Sequence, residues 1–342
     1  MRIAIDAMGG DYAPKEMIKG AMMALEQRKD LELILVGDQN KINEELSSLK
    51  VKDPRIHVVD APEVIGFDEQ PTLAIRRKKK SSIVVGLHLV KNKEAEAFVS
   101  AGSTGALLAG GLFILGRIEG ISRPALTVFV PTPKGDPMLL DVGANADLKA
   151  KNLREFAIMG SLYAEKIVGK TDPKVALLNN GSEEGKGSEL TKEAYKLISQ
   201  RPNLNFIGNI EGRDIPDATA DVIVTDGFTG NIYIKTAEGV ANIIMSTLKQ
   251  SFLSSVKGKI AALLMKDELK KLKASFNSEE IGGAPFLGVD GVLIKAHGNS
   301  NAFAFMNAIF QAQRALEANY IEELKQRVKE ISSSDGPEDQ DM

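Results

Sequence analysis

Short apolar runs of four to six residues recur along the chain, and most are followed by a turn rich in Gly, Ser, Asn and Asp and then by a helical pattern. The runs are continuously apolar rather than alternating, which is typical of strands covered on both faces of a sheet. Strands that alternate with helices at this spacing indicate βαβ units and a mainly parallel sheet. The predicted strands cover residues 2–6, 31–36, 95–100, 137–142, 174–179, 221–225 and 292–295.

The same pattern predicts where a ligand would bind. In open parallel sheets, ligands lie beyond the carboxyl ends of the strands. Right-handed crossovers place the loops that follow parallel strands at one edge of the sheet. Several predicted strands end in Gly-rich polar loops, such as 100–105 and 180–187. We therefore expect these loops to converge at a single edge and to form an active site there.

The composition is that of an ordinary globular protein, with 342 residues of which 43% are hydrophobic and 26% are charged. The net charge of -3 argues against general nucleic-acid binding, which favours a basic excess. The absence of Cys excludes disulfides, Cys-ligated zinc and a Cys nucleophile. The first residues lack the apolar core of a signal peptide, and no apolar run reaches the roughly 18 residues of a membrane span. We expect a cytoplasmic enzyme whose membrane contact is peripheral.

We expect residues 1–330 to form one large α/β catalytic unit, which could consist of two intertwined lobes. Within it, residues 251–276 stand apart as an amphipathic helical hairpin with a break near Gly258. Six lysines in this segment accompany only two acidic residues. The second piece of the hairpin carries one helical stripe of apolar residues, Met265, Leu269, Leu272 and Phe276. Residues 332–342 are Ser-rich and then acidic, and we expect them to be disordered.

A loop that enters a helix N-terminus attracts anions through its free backbone N–H groups. The loop at 100–105 fits this description, since Ser103 or Thr104 could add a hydroxyl donor and Gly105 would allow close approach. A simple helix cap is the alternative. The familiar phosphate motifs are absent: residues 181–188 are one residue short of a P-loop, and the first turn is not a dinucleotide fingerprint.

Two polar residues in these loops are candidates for chemistry. Lys186 lies in a Gly-rich turn after a buried strand, where it could bind an anion, although a solvated surface lysine is equally consistent. Asn231 follows a strand in the sequence Gly-Phe-Thr-Gly-Asn. Its amide could donate to an oxyanion or a phosphate oxygen, and the alternative is a helix N-cap.

His297 lies at a predicted strand end and could carry a proton, but we favour a structural role in orienting its loop. Four aspartates near strand ends could bind Mg²⁺ through oxygen ligands. We favour the interpretation that they orient backbone N–H groups in turns, because no spacing specifies a metal. We therefore expect no metal and no cofactor. The four aspartates are Asp6, Asp11, Asp141 and Asp226.

Taken in order, the loops resemble those of one family. The motifs are D-A-M-G-G-D at 6–11, S-A-G-S-T-G at 100–105, D-V-G-A-N at 141–145, K-G at 186–187, T-D-G-F-T-G-N at 225–231 and K-A-H-G at 295–298. This ordered set resembles the bacterial acyl-acyl carrier protein:phosphate acyltransferases. The resemblance runs from residue 1 to about residue 330.

The resemblance implies a three-layer α/β/α fold with a mainly parallel sheet and a protruding helical hairpin, assembled as a homodimer. This fold is similar to that of phosphotransacetylases and isopropylmalate-type dehydrogenases. The implied reaction moves a long-chain acyl group from acyl carrier protein to inorganic phosphate. The acyl phosphate would then supply a membrane glycerol-3-phosphate acyltransferase in phospholipid synthesis.

When the family's functional residues are carried over by position, the resemblance implies that Lys186 and Asn231 are the catalytic pair. We expect Lys186 to offset charge on phosphate or on a tetrahedral oxyanion, Asn231 to donate a hydrogen bond to that oxyanion, and backbone N–H groups near Gly105 to hold phosphate. The remaining substrate-binding residues that it implies are Asp6, Gly9, Gly10, Asp11, Ser103, Thr104, Gly105, Asn145, Asp226, Thr229, Gly230 and His297.

Two basic segments gain a sharper interpretation from the resemblance. The Lys-rich hairpin at 251–276 could lie in an anionic membrane interface at the inner face of the cell membrane. The alternative is a dimer-interface or core helix with a solvated lysine face. The cluster Arg76-Arg77-Lys78-Lys79-Lys80 could dock the acidic carrier protein or could be a solvated helix face. The expected membrane-contacting tip is Ile260, Leu263, Leu264 and Met265.

Two other functions stay open. A phosphotransacetylase that uses a coenzyme A thioester would have the same architecture and a different acyl donor. A non-catalytic membrane scaffold of lipid synthesis would leave the polar loops at the strand ends without a purpose.

Overall fold

One mixed sheet forms the centre of the molecule in the computed structural model, which describes residues 1–269 and 282–334. Its strand order is β3-β2-β1-β4-β11-β10-β5-β6-β9-β7-β8. All seven predicted strands are present, with ends within two residues of those expected, and four more are added. The strands are β1 Arg2–Asp6, β2 Glu32–Gly37, β3 Ile56–Asp60, β4 Ala97–Ser100, β5 Ala125–Phe129, β6 Met138–Leu140, β7 Lys174–Asn179, β8 Asn205–Glu211, β9 Val222–Val224, β10 Ala284–Leu287 and β11 Val292–Lys295.

Helices cover both faces of this sheet. On the face that we call the front, α3 to α5 pack over the first half of the sheet, and on the rear face α1 and α10 cover the first half while α6, α7 and α11 cover the second. The predicted three-layer α/β/α fold with a mainly parallel sheet is confirmed. The helices are α1 Lys15–Gln27, α2 Gln39–Ser48, α3 Pro71–Arg77, α4 Ser82–Lys91, α5 Thr104–Gly110, α6 Ala150–Tyr163, α7 Glu189–Ser199, α8 Gly227–Leu253, α9 Val256–Leu264, α10 Ala302–Glu317 and α11 Tyr320–Ser334.

Polar side chains fix the points at which several helices begin. Asp38 accepts hydrogen bonds from the backbone N–H groups of Asn40 and Lys41 at the start of α2. Ser188 and Asn301 accept in the same way at the starts of α7 and α10. Each cap satisfies a backbone donor that has no partner within its own helix, and so marks where loop gives way to helix.

Three antiparallel pairings reverse the direction of the strands halfway across the sheet. β10 runs antiparallel to both β11 and β5, and β5 runs antiparallel to β6. Consequently β1, β4 and β11 end at one edge, whereas β6, β7 and β9 end at the opposite edge. The expectation that all polar loops lie at a single edge is therefore wrong, because it assumed a wholly parallel sheet.

The predicted hairpin is formed in part by α8 and α9, which pack against each other. Beyond Gly230, α8 has no buried residue in the part of the chain that the structure describes, and α9 has none either. The break lies at Ser254 and Ser255 rather than at Gly258, because Ser255 caps α9 by accepting from the Gly258 N–H at 3.0 Å. The predicted residues 270–276 lie outside the described residues.

The C-terminal helix α11 runs to Ser334, so it includes the first residues of the segment expected to be disordered. The rest of that segment, residues 335–342, lies outside the described residues. Among the described helices, none is long and apolar enough to cross a bilayer.

Candidate active site

A cleft of about 620 Å³ opens on the front face of the sheet beside β5. Leu126 and Val128 of β5 form its floor. One wall carries Asp11 and Thr104, which follow β1 and β4, together with Lys295 at the end of β11 and residues 297–299 after it. The other wall carries Gly143 and the first turns of α8. The reversed strands thus bring loops from both edges of the sheet to one cleft.

Lys295 is the most buried charged side chain lining this cleft, with 8% of its surface exposed. It ends β11 and pairs in register with Ser100 of β4. Its Nζ donates to the carbonyl oxygens of Ala101, at 3.4 Å, and Ala296. Burial lowers the pKa of Lys295 to about 8, against the opposing effect of the Asp6 and Asp11 carboxylates.

The predicted loop at 6–11, which follows β1, packs against the loops on either side of Lys295. Asp6 is fully buried and accepts a 2.6 Å hydrogen bond from the Ser100 hydroxyl, and burial raises its pKa. A Cβ at Gly9 would lie 2.6 Å from the Gly102 nitrogen, so only Gly allows these two loops to pack together. Asp11 lines the cleft, and its N–H donates to the Gly298 carbonyl at 2.8 Å.

Gly10 is also a predicted substrate-binding residue of this loop. Its backbone has φ +99°, a conformation that favours glycine. A Cβ there would lie 2.9 Å from the Gly298 carbonyl oxygen. Gly9 therefore brings this loop close to the loop after β4, and Gly10 brings it close to the loop after β11.

The predicted residues after β4 have mixed roles. Ser103 caps α5 by accepting from the Ala106 N–H at 3.4 Å, as the helix-cap alternative expects. Thr104 lines the cleft. A Cβ at Gly105 would lie 2.6 Å from Pro71 Cγ, so Gly105 allows α3 to pack against α5.

On the opposite wall, Asn231 lines the cleft beside Gly143 and is exposed. It is not an N-cap, because Asp226 caps α8 by accepting from the Thr229 N–H and hydroxyl, both at 2.8 Å. Close packing requires glycine at position 230, because a Cβ there would overlap the Asp141 carbonyl oxygen.

Asp141 organises the loop behind Asn231. Its buried carboxylate accepts from the backbone N–H groups of Leu126, Ala144 and Asn145 at 2.7–3.1 Å. The Asn145 amide donates to Asp141 at 2.9 Å and to the Pro124 carbonyl at 2.7 Å. Burial raises the pKa of Asp141. Asn145 therefore supports the wall of the cleft and is not among its lining residues.

His297 lines the cleft and is exposed. Its Nδ1 accepts from the backbone N–H of Asn299 at 3.4 Å, which ties the side chain to its own loop. This contact agrees with the structural role favoured from the sequence, and His297 is also one of the residues that line the cleft.

Lys186 is not among the lining residues of the cleft, whereas Asn231 is. The Lys186 side chain is 54% exposed, and its Nζ lies 3.9 Å from Glu183. The turn around it is held by the Asn179 amide, which donates to the Lys186 carbonyl at 3.1 Å. The structure therefore does not bring the two predicted catalytic residues together at this cleft.

Sequence reasoning did not single out Lys295, although it lies within the K-A-H-G motif. The signal was available, because Lys295 is a charged residue that ends a continuously apolar run. Within the described parts of the chain, no group of three or more His, Asp or Glu side chains is placed to hold a metal ion. The cleft thus offers a buried cation, an amide and an apolar floor, which suit an anion beside a hydrophobic substrate.

The fold is that of the phosphotransacetylases. A phosphotransacetylase from Streptococcus pyogenes superimposes with a TM-score of 0.62 at 22% identity, covering 93% of this chain and 94% of that one. The EutD phosphotransacetylase of Staphylococcus aureus gives 0.59 at 19% identity, covering 92% and 94%. At these identities the likeness concerns the architecture alone.

The sequence places the chain more narrowly. A family model described as "Fatty acid synthesis protein" matches residues 1–323, and the chain belongs to this family. A phosphate acyltransferase of Clostridium tetani is 49% identical over 97% of this chain and 99% of its own length. A phosphate acyltransferase of Alkaliphilus oremlandii is 50% identical over 98% and 99%.

Proposed function

We propose that this phosphate acyltransferase takes its acyl group from acyl carrier protein and releases acyl phosphate for phospholipid synthesis. Near-50% identity to phosphate acyltransferases over nearly the whole chain is the observation that carries the proposal. The cleft supports it, because Asn231 and Lys295 offer donors above an apolar floor that suits an acyl group.

The reaction needs neither a strong base nor a covalent intermediate. An oxygen of hydrogen phosphate attacks the thioester carbonyl carbon, and the carbon–sulfur electron pair leaves with the sulfur. The proton carried by hydrogen phosphate ends on the thiolate, which leaves readily because thiol pKa values lie near about 8.5. The protein positions the two substrates, and it supplies hydrogen-bond donors for the tetrahedral oxyanion.

We assign Asn231 to the oxyanion, since its amide lies on the wall of the cleft. Lys186 is assigned to offset negative charge on phosphate or on the oxyanion. Because Lys186 is not among the lining residues of the cleft, we expect its exposed side chain or its Gly-rich turn to move toward the substrate when it binds. Gly187, at φ +96°, gives that turn a backbone conformation that most residues avoid.

The test is incubation of the protein with acyl-acyl carrier protein and labelled phosphate, followed by detection of acyl phosphate. Asn231→Ala and Lys186→Ala should each lower the rate at least about 100-fold if they stabilise the oxyanion. Circular dichroism confirms that the variants remain folded. Near wild-type rates in either folded variant would remove that residue from the mechanism.

The acyl donor is tested in parallel. Rates with acyl carrier protein and coenzyme A thioesters separate our proposal from a coenzyme A-dependent phosphotransacetylase. No phosphate-dependent turnover with either donor would favour the scaffold alternative.

Arg76 and Arg77 are exposed at the end of α3, whose first residues lie beside the cleft. Double replacement by Glu should raise KM for the acidic carrier protein and leave KM for coenzyme A thioesters unchanged.

We also propose that the tip of the hairpin contacts an anionic membrane at the inner face of the cell membrane, where a glycerol-3-phosphate acyltransferase would receive the product. Leu263 and Leu264 are 73% and 78% exposed, and Ile260 and Met265 are also exposed. Lysines that accompany them would favour anionic headgroups.

Vesicle flotation tests this contact. Leu263→Glu combined with Leu264→Glu should abolish flotation with anionic vesicles and leave turnover in solution unchanged. Ile207→Glu is the matched control, because Ile207 is an exposed apolar residue on β8, outside the hairpin. Undiminished flotation of the double variant would rule out direct contact through this tip.

We propose that the base of the hairpin forms the homodimer interface. Val240, Ile243 and Ile244 of α8 are 44–66% exposed and would be covered by a second copy. Sedimentation of Ile243→Glu should show a monomer. A dimer of undiminished stability would place the interface elsewhere.

A further inference from the structure

We propose that the ammonium group of Lys295 is the cation that binds inorganic phosphate in the cleft. This assignment rests on the proposed function, because phosphate is the acyl acceptor there. It adds a phosphate-contacting residue that lies more than 60 positions along the chain from either member of the predicted pair.

The geometry places Nζ at the cleft with donor capacity remaining. An ammonium group has three N–H donors. Within residues 1–269 and 282–334, Nζ makes two hydrogen bonds, to the carbonyls of Ala101 and Ala296. These carbonyls belong to the loops after β4 and β11, so they hold the ammonium where the two loops meet. A third donor is available to a ligand in the cleft that Lys295 lines.

Among the described residues, the Lys295 ammonium makes no direct ion pair with a carboxylate. Asp6 and Asp11 act on it through space, and neither is among its hydrogen-bond partners. Asp6 is instead engaged by the Ser100 hydroxyl and the Met8 N–H. A buried cation without a direct ion pair is costly, and its lowered pKa reflects that cost. A phosphate oxygen in contact with Nζ would supply the missing pair.

The loops around Lys295 are built to hold this position. Asp11 is tied to Gly298 by a 2.8 Å backbone hydrogen bond, and the Ala296 N–H donates to the Ser100 carbonyl at 2.9 Å. These contacts join the segments after β1, β4 and β11 into one rigid frame. Lys186 contrasts with this arrangement, because its ammonium is exposed and its nearest carboxylate lies on its own turn.

The experiment measures binding of inorganic phosphate to the full chain by isothermal titration calorimetry, in buffer without other oxyanions. Lys295→Met should weaken phosphate binding at least about tenfold, the size expected for one charge-assisted hydrogen bond. Lys91→Met is the matched control, since Lys91 also donates to a backbone carbonyl, that of Leu115, but lies outside the cleft. Its phosphate affinity should equal that of the wild type.

A kinetic measurement separates a contact with phosphate from a structural role. In Lys295→Met, KM for phosphate should rise at least about tenfold, while KM for the acyl donor stays within about twofold. Lys295→Arg keeps the charge and should recover a large part of the phosphate affinity. Equal increases in both KM values, or no recovery with Arg, would show that Lys295 only supports the fold.

The outcomes distinguish this assignment from the proposed function. If the wild type makes acyl phosphate and folded Lys295→Met binds phosphate as tightly as the wild type, the assignment to Lys295 is wrong and the function stands. If the wild type makes no acyl phosphate but phosphate binding depends on Lys295, the phosphate site stands and the reaction is a different one.

Discussion

Replacing Lys295 by Met should change how the stability of the protein depends on pH. Lys295 is buried, and its pKa in the folded protein is lowered to about 8 from an ordinary value of 10.5. The unfolded chain, in which this side chain meets water, should titrate at the ordinary value. Between these two pKa values the unfolded state holds a proton that the folded state has released.

The sign follows from proton linkage. Where the unfolded state binds more protons, the free energy of unfolding rises with pH, by about 1.4 kcal/mol per pH unit for one group. Across this window the wild type should therefore gain about 3 kcal/mol relative to Lys295→Met, which has no group to titrate. Asp6 and Asp11, which face Lys295, are kept in both proteins.

Urea unfolding at a series of pH values, from about pH 7 to pH 10, measures this difference. Circular dichroism is the suitable signal, because the chain contains no Trp. Buried Tyr163 and Tyr320 also have raised pKa values, but they are common to both proteins and cancel in the comparison. Saturating phosphate should move the rise to higher pH, since a bound anion keeps the ammonium charged. Parallel curves for the two proteins would refute the assignment of Lys295 as a buried cation.

Three substitutions test the support of the cleft by thermal unfolding. Gly230→Ala should cost about 1–3 kcal/mol or more and lower turnover, because its Cβ would overlap the Asp141 carbonyl and displace the start of α8. Gly239→Ala, in the same helix with open space around its Cβ, should instead stabilise by about 0.5–1 kcal/mol. Ser100→Ala should cost about 1–3 kcal/mol by removing the 2.6 Å hydrogen bond to buried Asp6. Equal melting temperatures for the two glycine variants, or a wild-type value for Ser100→Ala, would contradict these packing arguments.

The class of fold could be predicted from the sequence because parallel strands covered on both faces give continuous apolar runs. The reversal of direction could not, because an apolar run carries no sign of which way its strand points. β5 and β10, the two strands that cause the reversal, were not among the predicted strands. The expected single edge of loops followed from that omission.

The candidate site was predictable only where loops carried a visible polar signal. Asn231, Asp11, Thr104 and His297 stood in Gly-rich turns and line the cleft. Lys295 lies inside a strand rather than in a Gly-rich turn, so a search for polar loops passed over it, although a charged residue at the end of an apolar run was a visible signal. That a side chain is both buried and charged depends on which loops close over it, and this is a property of the assembled sheet.

The reversal also explains why a cleft exists at the middle of the sheet. A crossover between parallel strands needs a long connection, usually a helix, and that helix covers one face. The antiparallel neighbours β10–β11 and β5–β6 are joined by short connections without a helix. These two connections therefore deliver no helix over this part of the front face, where Leu126 and Val128 line the cleft between the two sets of loops. The same pairings that separate the loops to opposite edges thus leave a cleft that residues from both sets of loops line.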